Sequence, residues 1–236
     1  MKIADIILQH LIDLSNPQTA SVQLRFFKTG PGEYGEGDRF LGVTLPQTRH
    51  VVKEFFMRAD WTDLEKLFAC EWHEARACAV LILVAKFEKA KTAGERKKIF
   101  DFYVAHLPRA NNWDLIDISA YKIMGAYLAD KKDRGLLFKL AQSENLWEQR
   151  AAVVSTMYFV KRGEFGPTIA LAEKFFTHQH DLMHKATGWL LREVGKKDER
   201  VLRDFLDKHA GRMPRTMLRY SIEKLTPEQK KIYMGK

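Results

Sequence analysis

Apolar residues recur along this chain at the three- and four-residue intervals of an amphipathic α-helix, and this pattern limits the possible folds more than any other feature. The first apolar stripe ends at Ser15-Asn16-Pro17 and consists of Ile3, Ile6, Ile7, Leu11 and Leu14. No stretch alternates apolar and polar residues between turn residues, and no Asn-Gly or Asp-Gly pair offers a tight hairpin. The periodicity therefore predicts an all-α fold.

Similar amphipathic stretches continue to the C-terminus and are separated by short turns. They cover residues 51–56, 62–69, 72–90, 95–107, 113–129, 134–142, 146–161, 166–177, 181–195, 199–209, 213–224 and 227–233. Thr226-Pro227 has the form of a helix start, because proline is favoured at the first helical position. Many short helices joined by short turns are typical of a helical array.

Four segments of this pattern can be aligned as a repeat. Each has a polar anchor at the start of an apolar helix, and the anchors are separated by 41, 33 and 35 residues. The anchors are Arg76, Asp117, Arg150 and Lys185. This spacing predicts HEAT-like helical hairpins stacked into a solenoid, since one hairpin cannot bury its apolar face alone. An irregular helical bundle is the alternative interpretation.

Length and composition favour a single domain over residues 1–236. Hydrophobic residues make up 46% of the chain, which is enough for a large core, and no Gly/Ser-rich or Pro-rich linker divides it. The longest apolar run, residues 77–85, is far shorter than the ~20 residues of a membrane span. The 2 cysteines are too few to staple such a domain, and no signal peptide is recognisable. We therefore expect a cytoplasmic monomer that has no contact with membranes.

Positive charge is concentrated near the C-terminus. The whole chain has a formal charge of +9, and residues 184–236 hold 14 Lys/Arg against 7 Asp/Glu. A basic segment of this kind favours a polyanionic partner. A solvated basic surface without a specific partner is the alternative interpretation.

Equivalent positions on successive inner helices of a solenoid line one concave wall. The four anchors would then share a basic groove with three tryptophans, Trp113, Trp147 and Trp189. Phosphates suit the cations of such a groove, and base or sugar faces suit its indoles. The groove therefore predicts a nucleic-acid ligand.

Residues 113–117 are the most informative stretch for function. Trp113 and Asp117 are four residues apart, so they share one face of a helix that begins near them. Asp114, in the first turn, is placed to interact with free backbone N–H groups. The structural alternative for Asp117 is a salt bridge to Arg150.

A second tryptophan lies in the basic C-terminal region. Gly188 precedes Trp189 and would let this segment approach another backbone closely. The structural alternative is a core tryptophan beside a surface pair of Arg192 and Glu193. Arg215 lies at the start of the last basic stretch. The structural alternative for this stretch is that it caps the end of the solenoid.

Two other patterns are weaker. Residues 30–35 match the dinucleotide fingerprint, but no strand precedes them and no βαβ unit surrounds them, so a flexible loop is favoured. His178, His180 and His184 could suggest zinc, but the metalloprotease glutamate is missing. We expect solvated histidines and no metal.

Several motifs occur in the order that one known family shows. They are Trp113-Asp114-x-x-Asp117, Trp147-x-Gln149-Arg150-Ala151-Ala152, Lys185-Ala186-x-Gly188-Trp189-x-Leu191-Arg192-Glu193, Arg25-Phe26-Phe27-Lys28 and Phe40-Leu41-Gly42-Val43-x-x-Pro46-x-x-Arg49. With residues 214–224 they span most of the chain. The sequence resembles the DNA alkylation repair family of HEAT-like DNA glycosylases, the AlkD type.

The resemblance implies base excision repair by hydrolysis of the N-glycosidic bond of cationic alkylated purines in duplex DNA, chiefly 3-methyladenine and 7-methylguanine. It implies a monofunctional glycosylase without a cofactor. Asp117 matches the family's catalytic carboxylate. Trp113 and Trp189 match the two indoles that flank the deoxyribose of the lesion, and Arg150 matches the arginine beside them.

The resemblance also implies DNA contacts outside the catalytic group. Phe26 falls near a position where family members can carry tyrosine, and Arg49 and Arg192 match phosphate contacts. Together with the basic residues of the predicted groove, the expected DNA-binding set is Phe26, Arg49, Arg76, Lys185, Arg192 and Arg215.

The residue types support this chemistry on physical grounds. A purine with formal positive charge is already a good leaving group, so strong protonation by a general acid is unnecessary. Positive charge develops on the sugar as the bond breaks, and a carboxylate with two indole faces stabilises it. The alternative functions are a HEAT-like protein that binds DNA without turnover and a protein scaffold.

Overall fold

The computed structural model describes residues 2–235, and its regular structure is helical throughout that range. Within these residues, β-type pairing is limited to an isolated bridge between Arg39 and Trp72. The predicted all-α class is therefore confirmed. The chain divides into two compact units, of which the first ends at Ser119 and the second begins at Ala120. The single domain over residues 1–236 stays a prediction.

The first unit is organised around one buried helix. Its helices are α1 (Ile3–Asp13), α2 (Pro17–Phe26), α3 (Leu45–Phe55), α4 (Trp61–Ala69), α5 (His73–Lys89), α6 (Ala93–Ala105) and α7 (Trp113–Ala120). Every residue of α5 from His73 to Val84 is buried, and α1, α3, α4 and α6 pack against this helix. Because α5 is central, its few polar side chains are enclosed by the unit.

The second unit is organised around α13. Its helices are the π-helical turn Tyr121–Gly125, α8 (Ala126–Ala129), α9 (Gly135–Leu140), α10 (Leu146–Ser155), α11 (Met157–Lys161), α12 (Gly166–Lys174), α13 (Asp181–Lys197), α14 (Glu199–His209), α15 (Arg215–Ser221) and α16 (Pro227–Met234). Helices α10, α11, α12, α14 and α15 pack against α13. The residues of α13 that follow Lys185 therefore belong to a well-packed helix.

Side-chain caps explain where several helices begin. Oδ1 of Asn16 accepts a hydrogen bond from N of Thr19 at 2.9 Å at the start of α2. The Thr226-Pro227 cap predicted for α16 is confirmed, because Oγ1 of Thr226 accepts from N of Gln229 at 3.3 Å. Such caps pair N–H groups that the first helical turn leaves without partners.

Helices α13 and α15 cross closely at Gly188. A Cβ at this position would lie 2.5 Å from the carbonyl oxygen of Met217 and 2.6 Å from Cβ of Tyr220. A larger residue would therefore push the two helices apart. The predicted close backbone approach at Gly188 is confirmed.

The structure differs from the predicted helices in three places. The periodicity does not predict α2, because this helix buries none of its residues and so has no apolar stripe. The helix expected over residues 113–129 is interrupted by the π-helical turn Tyr121–Gly125. The helix expected over residues 146–161 is divided at Thr156.

Candidate functional site

Helix α7 begins at Trp113 and carries the two candidate residues of the first unit. Oδ1 of Asn112 accepts a hydrogen bond from the backbone N–H of Trp113 at 2.9 Å. Trp113 and Asp117 are both partly exposed and lie one helical turn apart. The structure therefore places an indole and a carboxylate on one accessible face of α7.

Three phenylalanine rings cluster beside Trp113 at the start of α7. Phe27 stacks on Trp113 at a centroid distance of 5.2 Å and on Phe40 at 4.9 Å. Phe26 meets Trp113 edge to face at 5.7 Å, and 61% of its surface is exposed. Stacked and edge-to-face arrangements are the favoured geometries of aromatic pairs. The position of the indole is therefore fixed by buried rings on one side, whereas Phe26 extends the aromatic surface toward solvent.

A buried histidine lies behind these rings and binds two carboxylates. Nδ1 of His73 is 2.9 Å from Oδ2 of Asp38, and Nε2 is 2.9 Å from Oδ2 of Asp114. Phe40 stacks on the imidazole at 4.5 Å. Asp114 was expected to interact with backbone N–H groups of its own helix, but its hydrogen bond instead joins α7 to α5.

The pKa of His73 shows that this histidine is charged at neutral pH. Burial opposes the charge, but the carboxylates of Asp114 and Asp38 outweigh it and raise the pKa of His73 from 6.5 to about 9. Burial likewise opposes the charge of Asp38, yet His73 and Arg76 lower its pKa. With both ring nitrogens protonated, His73 donates one hydrogen bond to each carboxylate.

Arg76 belongs to this network rather than to a DNA-binding wall. The residue is 2% exposed, and its guanidinium pairs with Asp38 and donates to the carbonyl oxygens of Cys70 at 2.9 Å and Glu71 at 3.0 Å. A guanidinium enclosed in this way cannot contact a phosphate. The prediction that Arg76 binds DNA is wrong, because the anchor position of this repeat points into the core of the first unit.

The loop that follows α2 delivers Asp38 to the network. Lys28 has a left-handed φ of 55°, and its carbonyl oxygen accepts from N of Gly35 at 3.0 Å. A Cβ at Gly35 would lie 2.4 Å from the carbonyl oxygen of Phe27, so the loop packs directly against the backbone beside the rings. Residues 30–35 form hydrogen-bonded turns, and residues 2–29 before them contain helices and no strand, so this segment is a loop, as the sequence favoured.

Glu74 fixes the segment that carries Phe40. This carboxylate is 2% exposed, and Oε1 accepts from the backbone N–H groups of Leu41, Gly42 and Val43 at 2.9–3.1 Å. Three such hydrogen bonds to one carboxylate orient a backbone strongly. His73 and Glu74, which are adjacent in α5, therefore hold the loop residues on either side of Phe40.

The second unit contains the remaining catalytic candidates. Arg150, in α10, is 5% exposed, and its NH1 donates to the carbonyl oxygen of Leu182 at 2.7 Å. This bond joins α10 to the first turn of α13. Trp147 is 7% exposed and belongs to the core of this unit, although the repeat pattern predicts it in the groove.

Trp189 lies on α13 next to the crossing with α15. Its side chain is partly exposed, whereas the flanking Gly188 and Leu190 are buried. Arg192, three residues further on, forms ion pairs with Glu223 and Glu193, and 18% of its side chain is exposed. Glutamates thus already balance much of the charge that Arg192 could offer to a phosphate.

The other predicted DNA contacts lie at the surface. Arg49 is exposed on α3, and Arg215 is exposed at the start of α15, where its NH2 donates to the carbonyl oxygen of Met234 at 3.0 Å. Lys185 on α13 is partly exposed and pairs with Asp181 at 2.8 Å. These three cations remain accessible to a polyanion.

The histidines near the start of α13 are structural. Nε2 of His178 lies 2.8 Å from Oε1 of Gln149, Nδ1 of His180 accepts from N of Leu182, and Nε2 of His184 lies 2.6 Å from the carbonyl oxygen of His178. They are hydrogen-bonded and partly buried rather than solvated. Within residues 2–235, no group of three His, Cys, Asp or Glu side chains could hold a metal, and no helix could cross a membrane.

The structure is thus that of an all-α protein in which α7 carries an accessible carboxylate, Asp117, and an accessible indole, Trp113. A buried network of charged side chains around His73 contacts the same helix. A family model for the DNA alkylation repair enzymes matches residues 7–225. The chain therefore belongs to the DNA alkylation repair enzyme family.

Comparison with solved structures agrees with this assignment. A structure titled a predicted DNA alkylation repair enzyme from Enterococcus faecalis matches with a TM-score of 0.71. The two chains share 17% sequence identity over 90% of this chain and 97% of the other. At that identity the likeness shows a common fold. No curated protein matches the sequence.

Proposed function

We propose that this protein is a monofunctional DNA glycosylase that hydrolyses the N-glycosidic bond of cationic alkylated purines, chiefly 3-methyladenine and 7-methylguanine, in duplex DNA. The observation that carries the proposal is the shared face of α7, on which Trp113 and Asp117 are both accessible and one turn apart. Membership of an alkylation repair family supports the same class of substrate.

Asp117 supplies the electrostatic part of the mechanism. When the bond between C1′ and the purine nitrogen breaks, its electron pair goes to the purine, whose positive charge is thereby neutralised. Positive charge then develops on the deoxyribose, and the carboxylate of Asp117 stabilises it and orients the water that adds to C1′. The proton released by that water passes to solvent.

Trp113 supplies an aromatic face for the same positive charge. A cation–π contact contributes about 0.5–2 kcal/mol, so the carboxylate should contribute more than the indole. The rings of Phe27 and Phe40 limit the motion of Trp113, and an indole that is already oriented loses little freedom on binding.

The second unit is proposed to contribute Trp189 as another indole and Arg150 as the guanidinium that the resemblance places beside it. We propose phosphate contacts for Arg49, Lys185 and Arg215, which are accessible, and for Arg192. Phe26 would contact the DNA through its exposed ring.

Release of free bases from methylated duplex DNA tests the proposal. The wild-type protein should release 7-methylguanine and 3-methyladenine, detected by chromatography and mass spectrometry, without added metal or cofactor. Asp117→Asn should cut the single-turnover rate by ~10²–10³, the usual cost of one well-placed electrostatic group, with DNA affinity nearly unchanged.

A matched variant controls for the loss of a negative charge. Asp101→Asn removes an exposed carboxylate of α6 that pairs with Lys97, and it should excise at the wild-type rate. Absence of released base from the wild-type protein would favour the alternative, a family member that binds DNA without turnover.

A further inference from the structure

The ion network of His73 touches the candidate catalytic helix at one residue. Asp114 directly follows Trp113 and precedes Asp117 by three residues, and its Oδ2 is bound by Nε2 of His73. Oδ1 of Asp114 is buried and has no hydrogen-bond partner within residues 2–235. His73 is therefore the side chain that determines where this carboxylate lies.

We propose that His73 is a positioning residue, which acts through Asp114 to hold Trp113 and Asp117 of α7 in the orientation needed for excision. This inference rests on the proposed function, because the residues that His73 would position are the proposed catalytic residues. His73 does not touch the DNA itself, since only 4% of its side chain is exposed.

The network has a composition suited to a rigid support. Asp38 and Asp114 contribute two negative charges, whereas His73 and Arg76 contribute two positive charges, so the group is neutral as a whole. Buried charges are tolerated when each is paired and hydrogen-bonded. Asp38 has more than one donor, whereas loss of His73 would leave Asp114 without its donor.

The same histidine also contacts the rings that hold Trp113. Phe40 stacks on the imidazole at 4.5 Å, and Phe27 lies 5.1 Å from it while stacking on Trp113 at 5.2 Å. His73 of α5 therefore supports α7 in two ways. It forms a hydrogen bond to Asp114, and it packs against the rings that hold Trp113. A displacement of about 1 Å in such an arrangement can cost ~10²-fold in rate.

Two substitutions of His73 separate positioning from general destabilisation. The amide nitrogen of glutamine replaces Nε2, so His73→Gln keeps a donor for Asp114 and loses the donor for Asp38. The amide nitrogen of asparagine replaces Nδ1, so His73→Asn keeps the donor for Asp38 and loses the one for Asp114. In His73→Gln, Asp38 keeps the donors Arg76 and Asn112. In His73→Asn, Asp114 loses its donor, so this variant should lose more stability, and the two rates must be compared where both variants are fully folded.

The experiment compares single-turnover excision of 7-methylguanine by the two variants at a temperature where circular dichroism shows both to be folded. His73→Asn should be slower than His73→Gln by at least about tenfold, while their affinities for undamaged duplex DNA should agree. Equal rates for the two variants, or rates that follow only their melting temperatures, would overturn the inference.

A substitution at Asp114 keeps the test decisive where the histidine variants fail to fold. Asp114→Asn retains an oxygen that accepts from His73, whereas Asp114→Ala retains no acceptor. The alanine variant should be slower than the asparagine variant by about tenfold or more, and equal rates would contradict positioning. If the wild-type protein releases no methylated base, the proposed function fails as well, whereas an active wild type with wild-type rates in these variants refutes positioning alone.

Discussion

Phe26 meets Trp113 edge to face, with ring centroids 5.7 Å apart, and keeps 61% of its surface exposed. Members of the family that the sequence resembles can carry tyrosine near this position, whereas the ring of Phe26 has no hydroxyl group. Phe26 is the last residue of α2, and the buried Phe27 follows it. One ring thus faces solvent while its neighbour is held in the ring cluster.

The exposed ring of Phe26 should contribute to DNA binding. Contacts between a base and an aromatic ring contribute about 1–3 kcal/mol by alanine substitution, so Phe26→Ala should weaken the affinity for lesion-containing duplex by about five- to 150-fold. Phe26→Tyr should bind at least as well as wild type. Phe138→Ala, which removes an exposed phenylalanine of α9, is the control and should bind normally in an anisotropy titration.

Because His73 is charged in the folded protein, the free energy of unfolding should fall as the pH becomes alkaline. The pKa of His73 is raised from 6.5 to about 9 in the folded protein, so its contribution is complete below pH 6.5 and is lost as pH rises through about 9. Each pH unit across this window should lower the free energy of unfolding by up to about 1.4 kcal/mol.

Urea unfolding at several pH values measures that effect. The groups that face His73 are Asp38 of the loop and Asp114 of α7, and Arg76 of α5 pairs with Asp38. His73→Gln removes the titrating group and should flatten the dependence between pH 6.5 and 9. An equally steep loss of stability in this variant would assign the effect to other groups.

The crossing at Gly188 should tolerate no side chain. A Cβ there would lie 2.5 Å from the carbonyl oxygen of Met217, so Gly188→Ala should destabilise the protein by about 1–3 kcal/mol or more. Gly166→Ala is the matched control, because no atom lies within 4 Å of its added Cβ. Thermal unfolding of both variants checks the prediction, and equal melting temperatures would contradict it.

The sequence predicts the helical class because a buried helical face repeats its apolar residues regularly. This pattern does not predict helix α2, because α2 buries none of its residues. In the periodicity, Ser15-Asn16-Pro17 marks only the end of the first stripe, but Asn16 caps α2 and Pro17 takes its first helical position. A helix without an apolar stripe can thus be recognised by its cap rather than by its periodicity.

The buried network could not be predicted from spacing. His73 and Asp38 are 35 positions apart, and α3 and α4 lie between them, so no local spacing aligns the two side chains. The alignment of repeat anchors placed Arg76 with accessible cations, but the centre of the first unit is α5, so this position faces the core. Periodicity indicates which residues share a face, and the packing of neighbouring helices determines what that face meets.

Binding to undamaged duplex DNA should depend strongly on salt. About 4–6 phosphate contacts predict that log K falls with log salt at a slope near −4 to −5. Lys185→Ala and Arg215→Ala should each reduce the slope by about 1. Lys97→Ala, on α6, is the control and should leave the slope unchanged. A slope near zero for the wild-type protein would exclude binding through phosphates.

Excision should follow the charge of the lesion. Cationic 7-methylguanine and 3-methyladenine depart as neutral bases, so they require no proton from the protein. Neutral lesions such as hypoxanthine would depart as anions unless a general acid protonated them. His73 contacts α7 through Asp114, but both of its N–H groups are bound by carboxylates and 4% of its side chain is exposed.

A histidine held in this way is a poor acid for a departing base. Its pKa of about 9 makes proton release unfavourable at neutral pH, and its protons point to Asp38 and Asp114 rather than to solvent. Duplexes that each carry one lesion should therefore show release of the cationic bases and essentially none of hypoxanthine or O6-methylguanine under single-turnover conditions. Comparable rates for hypoxanthine and 7-methylguanine would require a general acid elsewhere in the protein and would contradict the mechanism in which Asp117 acts on the sugar alone.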